Sequence, residues 1–88
     1  MKAKVFDLGT VRREAVVTVV LDAMANVRLL TKVNYQAYLQ RQYYRMHGGV
    51  AVTPMFKISI PANAHWYLVL DLEGLDAEAV HPRVSVAP

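Results

Sequence analysis

The 88-residue chain is long enough for one small domain, and we treat residues 1–88 as a single unit. Its hydrophobic fraction of 55% excludes a disordered protein, and the absence of cysteine excludes disulfides, thiolate metal sites and cysteine nucleophiles. The net charge of +3 is unevenly placed, because residues 23–70 contain five basic and no acidic residues, whereas residues 71–88 are acidic.

We expect no targeting or membrane segment in the chain. An acidic residue, Asp7, interrupts the N-terminal segment before an apolar run of signal-peptide length can form. The longest apolar run, residues 15–21, is shorter than the roughly 20 residues that cross a bilayer. We therefore expect a cytoplasmic protein with no membrane partner.

Period-two alternation of apolar residues predicts strands along most of the chain. Residues 5–8 begin a first strand, and the charged residues 12–14 predict a hairpin tip. Residues 14–22 are rich in β-branched side chains and predict a strand with two apolar faces. A short strand over residues 26–30 follows, with Val27 and Leu29 on the face opposite Arg28.

One segment changes period. Six of its residues follow the spacing of a helical face, namely Tyr35, Tyr38, Leu39, Gln42, Tyr43 and Met46. The spacing predicts a helix of about two to four turns that Gly48 and Gly49 end, although residues 42–46 fit a strand equally well. In the helical alternative Tyr44 points away from this face, so we expect it to be the most exposed aromatic residue.

Alternation resumes after Pro54. Residues 55–60 place Phe56 and Ile58 on an inner face, residues 61–64 predict a hairpin loop, and residues 80–86 predict a last strand at a sheet edge. Residues 65–72 predict a strand whose inner face carries Trp66, Leu68, Leu70 and Leu72. We expect Trp66 to lie in the core rather than to stack on a ligand.

The fold class that follows is mainly β. The short, turn-punctuated strands favour a small antiparallel β-sandwich or open barrel of about six strands with one short helix. Two of the strands, residues 14–22 and 65–72, are apolar on both faces, which predicts a homo-oligomer, with a twofold dimer as the preferred form. In the competing explanation, the helix covers the second face.

Three stretches resemble a known family when taken together. They are residues 25–30 with Asn34 and Tyr35, residues 43–45 before Gly48 and Gly49, and Ile60-Pro61 before the run HWYLVLD at residues 65–71. In this order they resemble a bacterial family of unknown function whose domain occurs alone or next to a TIR-type signalling domain. The resemblance implies a small β-rich fold and assigns no catalytic residue.

The residues offer little for catalysis or metal binding. Ser59 and Ser85 lie at outward strand positions without the glycines of a nucleophile elbow, and a solvated loop explains the acidic residues of 71–78. His47, His65 and His81 are separated by 18 and 16 residues on different elements, which is unlike the close spacing of metal ligands. We expect no enzyme, no catalytic residue, no metal and no cofactor.

The remaining function class is binding. We expect a non-catalytic interaction module that self-associates and binds an unknown protein through a surface containing Arg41, Tyr43, Tyr44, Arg45, His47 and His65. The alternative is a binder of nucleic acid or another anionic ligand that uses Arg28, Lys32, Arg41 and Arg45 in the basic, aromatic-rich middle of the chain. A further possibility is that the acidic residues 71–88 fold back on this basic middle and neutralise its charge.

Overall fold

The computed structural model describes residues 3–88, which form seven strands and one helix in two antiparallel sheets. In chain order the elements are β1 (Lys4–Val11), β2 (Val16–Val20), β3 (Ala25–Thr31), α1 (Lys32–Leu39), β4 (His47–Ala51), β5 (Met55–Ser59), β6 (Ala64–Asp71) and β7 (Arg83–Ala87). Sheet A has the strand order β1-β6-β3-β4, and sheet B has the order β5-β2-β7. Within residues 3–88 the sheets do not close into a barrel, so the predicted mainly β sandwich is confirmed.

The main core lies between the inner faces of the two sheets. Val17 and Val19 of sheet B belong to one buried cluster with residues of sheet A such as Leu29 and Leu68. Trp66 is 3% exposed in this cluster, and its indole N–H donates a hydrogen bond to the Ala62 carbonyl at 2.9 Å. The prediction that Trp66 is a core residue is confirmed.

Helix α1 packs against the outer face of sheet A, where it contacts β3 and β6. Leu30 and Val69 are fully buried but lie outside the main core cluster, on the outer face of these two strands. The second apolar face of β6 is therefore covered within the chain, as the competing explanation expected. The outer face of β2 has no helix against it in the described part of the chain, and its residues Val16, Thr18 and Val20 are half-buried.

The two predicted hairpins are wrong. Residues 12–14 lead from β1 in sheet A to β2 in sheet B, and residues 61–64 lead from β5 in sheet B to β6 in sheet A. The alternation of apolar residues indicates which side chains share a face, but it does not indicate which strand is the hydrogen-bonded neighbour. Both turns therefore cross between sheets.

Two element boundaries also differ from the predictions. The first strand continues through Gly9 to Val11, because a bulge between Asp7 and Gly9 absorbs the irregularity. The helix ends at Leu39, residues 42–46 are neither helix nor strand, and Gly48 and Gly49 lie inside β4. Over residues 3–88, the single helix is too short to be a membrane span.

Gly48 is required by the close packing of β4 on β3. Its φ is 120°, and a Cβ atom at this position would overlap the backbone carbonyl of Val27. Neighbouring Gly49 has open space where its Cβ would lie. We expect Gly48→Ala to lower the free energy of unfolding by about 1–3 kcal/mol, because strain of this kind has that cost.

Gly49→Ala is the matched control, and we expect a change within about 0.5 kcal/mol. Urea titrations followed by far-UV circular dichroism measure both variants. Equal destabilisation by the two substitutions would contradict the proposed overlap at Gly48.

Candidate functional site

A cluster of polar side chains lies on the outer face of sheet A, beside helix α1. We call it the Asp71 cluster, and its members are Asn26, Arg28, Tyr38, Tyr44 and Asp71. Asn26 lies directly opposite Asp71 in the β3–β6 ladder, and Arg28 lies two residues farther along β3 on the same face. The alternation that points Val27 and Leu70 into the core therefore brings the three polar groups together.

Asp71 is the acceptor at the centre of the cluster. Arg28 donates from Nε to Oδ2 at 2.7 Å and from Nη2 to Oδ1 at 3.2 Å, which is a two-point ion pair. Asn26 Nδ2 donates to Oδ1 at 2.6 Å, and the Tyr38 hydroxyl donates to Oδ2 at 3.0 Å. The backbone N–H of Glu73 adds a fifth bond at 3.2 Å. These bonds compensate the carboxylate for its burial at 5% exposure.

Arg28 is held from its other side by the segment after the helix. Its Nη1 donates to the Tyr44 hydroxyl at 2.8 Å and lies 3.7 Å from the Met46 sulfur. The Tyr38 ring faces the guanidinium with a centroid distance of 5.7 Å, and it meets the Tyr44 ring edge-on at 5.5 Å. The described residues contain no buried side-chain polar atom without a hydrogen-bond partner, so the cluster is fully satisfied.

The burial and hydrogen bonds of the cluster determine the protonation states of its members. Burial alone would raise the pKa of Asp71, but the hydrogen bonds from Arg28, Asn26 and Tyr38 outweigh burial and lower this pKa to about 2. Burial, followed by the hydrogen bond to Asp71, raises the pKa of Tyr38 to about 12. The bond to Asp71 also raises the pKa of Arg28. At neutral pH the cluster keeps one fixed charge pair, which suits a structural support better than proton transfer.

The helix ends in a Schellman motif. The N–H of Arg41 donates to the Tyr38 carbonyl at 3.2 Å, and the N–H of Gln42 donates to the Ala37 carbonyl at 2.9 Å. Arg41 occupies the position of this motif that glycine usually fills, with a φ of 54°. An L-residue in the left-handed region has an unfavourable backbone energy of about 1–2 kcal/mol. The chain therefore carries an arginine where glycine would be more stable.

Residues 43–46 alternate between solvent and the Asp71 cluster. Tyr44 and Met46 point inward to Arg28, whereas Tyr43 is 85% exposed and Arg45 is exposed. The N–H of Arg45 donates to Asn34 Oδ1 at 2.9 Å, which ties the segment to the helix. The expectation that Tyr44 is the most exposed aromatic is wrong, since its hydroxyl is bound by Arg28 and Tyr43 takes the exposed position.

Four exposed side chains form what we call the 39–45 surface: Leu39, Arg41, Tyr43 and Arg45. A cleft of about 370 Å³ opens beside it, lined by Leu39 and Arg41 together with Tyr38, Tyr44 and Glu73. The floor of the cleft is thus part of the Asp71 cluster, and its rim is part of the 39–45 surface.

The other predicted surface residues lie elsewhere. His47 begins β4 with its ring edge-on to Trp66 at 5.8 Å. His65 lies on the outer face of β6, stacked on Tyr67 at 5.0 Å, with its Nε2 2.6 Å from Asp7 Oδ1. Tyr67 stacks in turn on Tyr35 of the helix at 4.3 Å. His65 therefore belongs to an aromatic stack under α1, and the structure does not bring it to Arg41, Tyr43 and Arg45.

The three histidines lie on different elements, as their spacing indicated. His81 precedes β7 and pairs with Asp22, whose pKa is lowered by the backbone N–H of His81 and then by its ring. The pKa of Asp7 is lowered by the backbone N–H of Gly9 and then by His65. Over residues 3–88, no three His, Asp or Glu side chains are grouped in a way that could hold a metal ion.

Sequence reasoning missed the central role of Asp71. The solvated-loop interpretation is correct for exposed Glu73, Asp76 and Glu78, but it is wrong for Asp71, which ends β6 in a buried position. Its placement on the same strand face as Val69 was a usable signal, as was the outward position of Arg28 on β3. The predicted folding back of acidic residues on the basic middle occurs at this one pair among the described contacts.

Residues 1–87 match the family described as "Domain of unknown function (DUF1883)". The match covers nearly the whole chain, so the resemblance to a family of unknown function is confirmed. The bacterial origin and the association with TIR domains stay predictions. Neither a curated protein nor a solved structure matches the chain.

The lowered pKa of Asp71 predicts a specific loss of stability in acid. Its pKa is about 2 in the folded protein against an ordinary value of 3.8. Because the folded pKa is the lower one, this stabilisation is present above the ordinary value and is lost as pH falls through the folded value. The free-energy difference between wild type and Asp71→Asn should shrink by about 2 kcal/mol between about pH 4 and pH 2.

Urea titrations at a series of pH values measure this difference. Asp76→Asn is the matched control, since Asp76 is an exposed carboxylate in the following loop, and we expect it to change stability less than Asp71→Asn does. A wild-type-to-Asp71→Asn difference that stays constant from pH 4 to pH 2 would show that the carboxylate is not held as described.

Proposed function

The chain belongs to the DUF1883 family, whose function is unknown, and we propose that it is a non-catalytic interaction module that binds a protein partner through the 39–45 surface. One observation carries the proposal: Arg41, Tyr43 and Arg45 are exposed on an irregular segment whose inward residues, Tyr44 and Met46, are fixed by Arg28. The proposal includes self-association and a cytoplasmic location.

The residue types of the 39–45 surface support binding to a protein. Tyrosine and arginine are enriched among the few residues that carry most of the energy of protein interfaces. Leu39 is 58% exposed beside them and adds an apolar contact. A segment that is already ordered loses little conformational entropy on binding, so a small surface can still give useful affinity.

The backbone of Arg41 gives independent support. A glycine at this helix terminus would avoid the unfavourable left-handed conformation. The Arg41 side chain is exposed and lines the cleft, so it is not part of the buried core. Strained positions of this kind cluster at functional sites, and a role in binding explains the arginine.

The charge of the surface indicates the chemistry of the partner. Residues 39–47 carry two arginines and no acidic residue. We propose a partner that presents carboxylates together with an apolar or aromatic group that can pack on Tyr43 and Leu39. The cleft beside Arg41 gives a side chain of the partner a place to enter.

Nucleic acid binding has weaker support. Arg28 was one of its four basic residues, and this side chain is committed to Asp71 and 16% exposed. The remaining residues, Lys32, Arg41 and Arg45, are few for a phosphate-binding surface.

Substitution of Tyr43 tests the proposal. Proteins retained from a cell extract by the wild-type chain are identified, and each is then purified and titrated calorimetrically. We expect Tyr43→Ser to weaken binding of the genuine partner at least about tenfold, because an anchoring tyrosine contributes at this level. Val52→Ser is the control, since Val52 is 74% exposed away from this surface, and it should leave the affinity unchanged.

Three results would count against the proposal. A partner that binds Tyr43→Ser and Val52→Ser equally well does not use the 39–45 surface. Retention that disappears on nuclease treatment, with affinity that falls steeply as salt rises, assigns the surface to nucleic acid instead. A failure to retain any protein above the level of the Tyr43→Ser variant removes the support for a protein partner.

Replacing Arg41 by glycine separates stability from binding. We expect Arg41→Gly to raise the free energy of unfolding by about 1 kcal/mol, because glycine adopts the left-handed conformation without the Cβ clash. The same variant should bind the partner more weakly. Glu14 has a comparable φ of 73° in a different loop, so Glu14→Gly is the matched control that should gain stability and keep its affinity.

Urea titration and calorimetric titration measure the two quantities on the same samples. An Arg41→Gly variant with wild-type affinity would show that the arginine side chain has no part in binding. Loss of affinity in Glu14→Gly would show that the assay responds to a change unrelated to the surface.

A further inference from the structure

The four sheet edges differ in how they are protected. The edge strands are β1 and β4 in sheet A and β5 and β7 in sheet B. An edge strand presents unpaired N–H and C=O groups that can pair with another chain, and bulges, charged residues and distorted backbone prevent this. The protection of each edge therefore indicates where pairing is excluded and where it is allowed.

Three edges carry a protecting feature. Strand β1 has the bulge between Asp7 and Gly9. Strand β4 has Gly48 at a φ of 120°, which distorts the backbone of this edge although its register with β3 is unbroken. Strand β5 has Lys57 at its centre, on the outer face of sheet B.

Strand β7 has no bulge, no left-handed residue and no charged residue at its centre. Its five residues, RVSVA, contain no glycine, proline or acid, and its one charge, Arg83, lies at the end. Its register with β2 is unbroken from Arg83 to Ala87. Val86 shares its face with Val84 and Val17, yet it is 42% exposed, because no strand among residues 3–88 lies beyond this edge.

We infer that β7 pairs with β7 of a second copy, antiparallel about a twofold axis through Ser85. This inference rests on the self-association included in the proposed function and names its interface. The pairing would join the two B sheets into one sheet of six strands. Each Val84 would lie opposite a Val86, so the apolar layer would continue across the edge and cover the exposed valine.

The charges of the strand fit a second copy. A twofold axis at Ser85 places each Arg83 opposite an Ala87, and it keeps the two arginines about 13 Å apart along the strands. Serine opposite serine allows a hydrogen bond between the side chains. The same axis on β5 would place Lys57 directly opposite Lys57, which is destabilising. The symmetry therefore suits β7 and excludes β5.

A single cysteine tests the register directly, because the chain has no cysteine of its own. Residues opposite each other in an antiparallel pair have Cα atoms about 4.5–5.5 Å apart, which is within the range of a disulfide. We expect mild oxidation at micromolar concentration to convert most of a Ser85→Cys sample to a covalent dimer. Ser59→Cys is the matched control, an exposed serine on the outer face of the other edge, and it should stay mostly monomeric.

A lysine at the same positions tests the interface without a covalent bond. Sedimentation velocity should give twice the chain mass of 9.9 kDa for wild type and Ser59→Lys, and the single mass for Ser85→Lys, whose two lysines would face each other. Far-UV circular dichroism checks that each variant is folded.

The outcomes separate this inference from the proposal on which it rests. A wild-type dimer whose Ser85→Cys variant does not cross-link, or whose folded Ser85→Lys variant stays dimeric, overturns the β7 interface and leaves self-association standing. A wild-type chain that sediments as a monomer at every concentration overturns both. Binding through the 39–45 surface is measured separately with Tyr43→Ser.

Discussion

The ion pair between Arg28 and Asp71 fixes helix α1 and the segment after it on the outer face of sheet A. Two charges removed from water are unfavourable unless their hydrogen-bonding capacity is filled, and here Tyr38 from the helix and Tyr44 from the following segment help to fill it. The helix and the segment are therefore both attached to one point on the sheet. Since a buried pair adds little net stability over an apolar substitute, its contribution is positional. The ion pair determines the path of the chain after Leu39.

Burial of sheet A on both faces explains how so small a chain accommodates its apolar residues. The inner face packs on sheet B, and the outer face of β3 and β6 is covered by α1, so Leu30 and Val69 are as fully buried as the residues between the sheets. The central strands consequently read as nearly continuous apolar runs. Sheet B has no such second cover in residues 3–88. Its apolar residues that remain in contact with solvent include Met55 and Val86 on its edge strands and the half-buried Val16 and Val20 on the outer face of β2.

Local geometry accounts for what the sequence predicted correctly. Side chains of a strand alternate between faces whatever the strand pairs with, so Trp66 and Ile58 could be placed in the core from their spacing alone. Strand pairing depends on contacts between residues that are distant in the sequence. For this reason two connections between different sheets, residues 12–14 and 61–64, were predicted as hairpins. The predicted helix extended past Leu39 because Tyr43 and Met46 keep the helical spacing in the sequence. The positions of Tyr44 and Met46 are set by Arg28, sixteen and eighteen residues earlier, and no local pattern indicates that contact.

The two proposed surfaces lie on different sheets, and this separation has a consequence for binding. The 39–45 surface follows the helix that covers sheet A, whereas β7 is an edge of sheet B. A dimer formed through β7 would leave both 39–45 surfaces free and hold them in one assembly. Two linked sites that engage one partner assembly gain avidity of about 10²–10⁴ over a single site without any new contact. A surface of only four side chains, too small for tight binding alone, would then be sufficient, because dimerisation rather than interface size would set the strength of attachment.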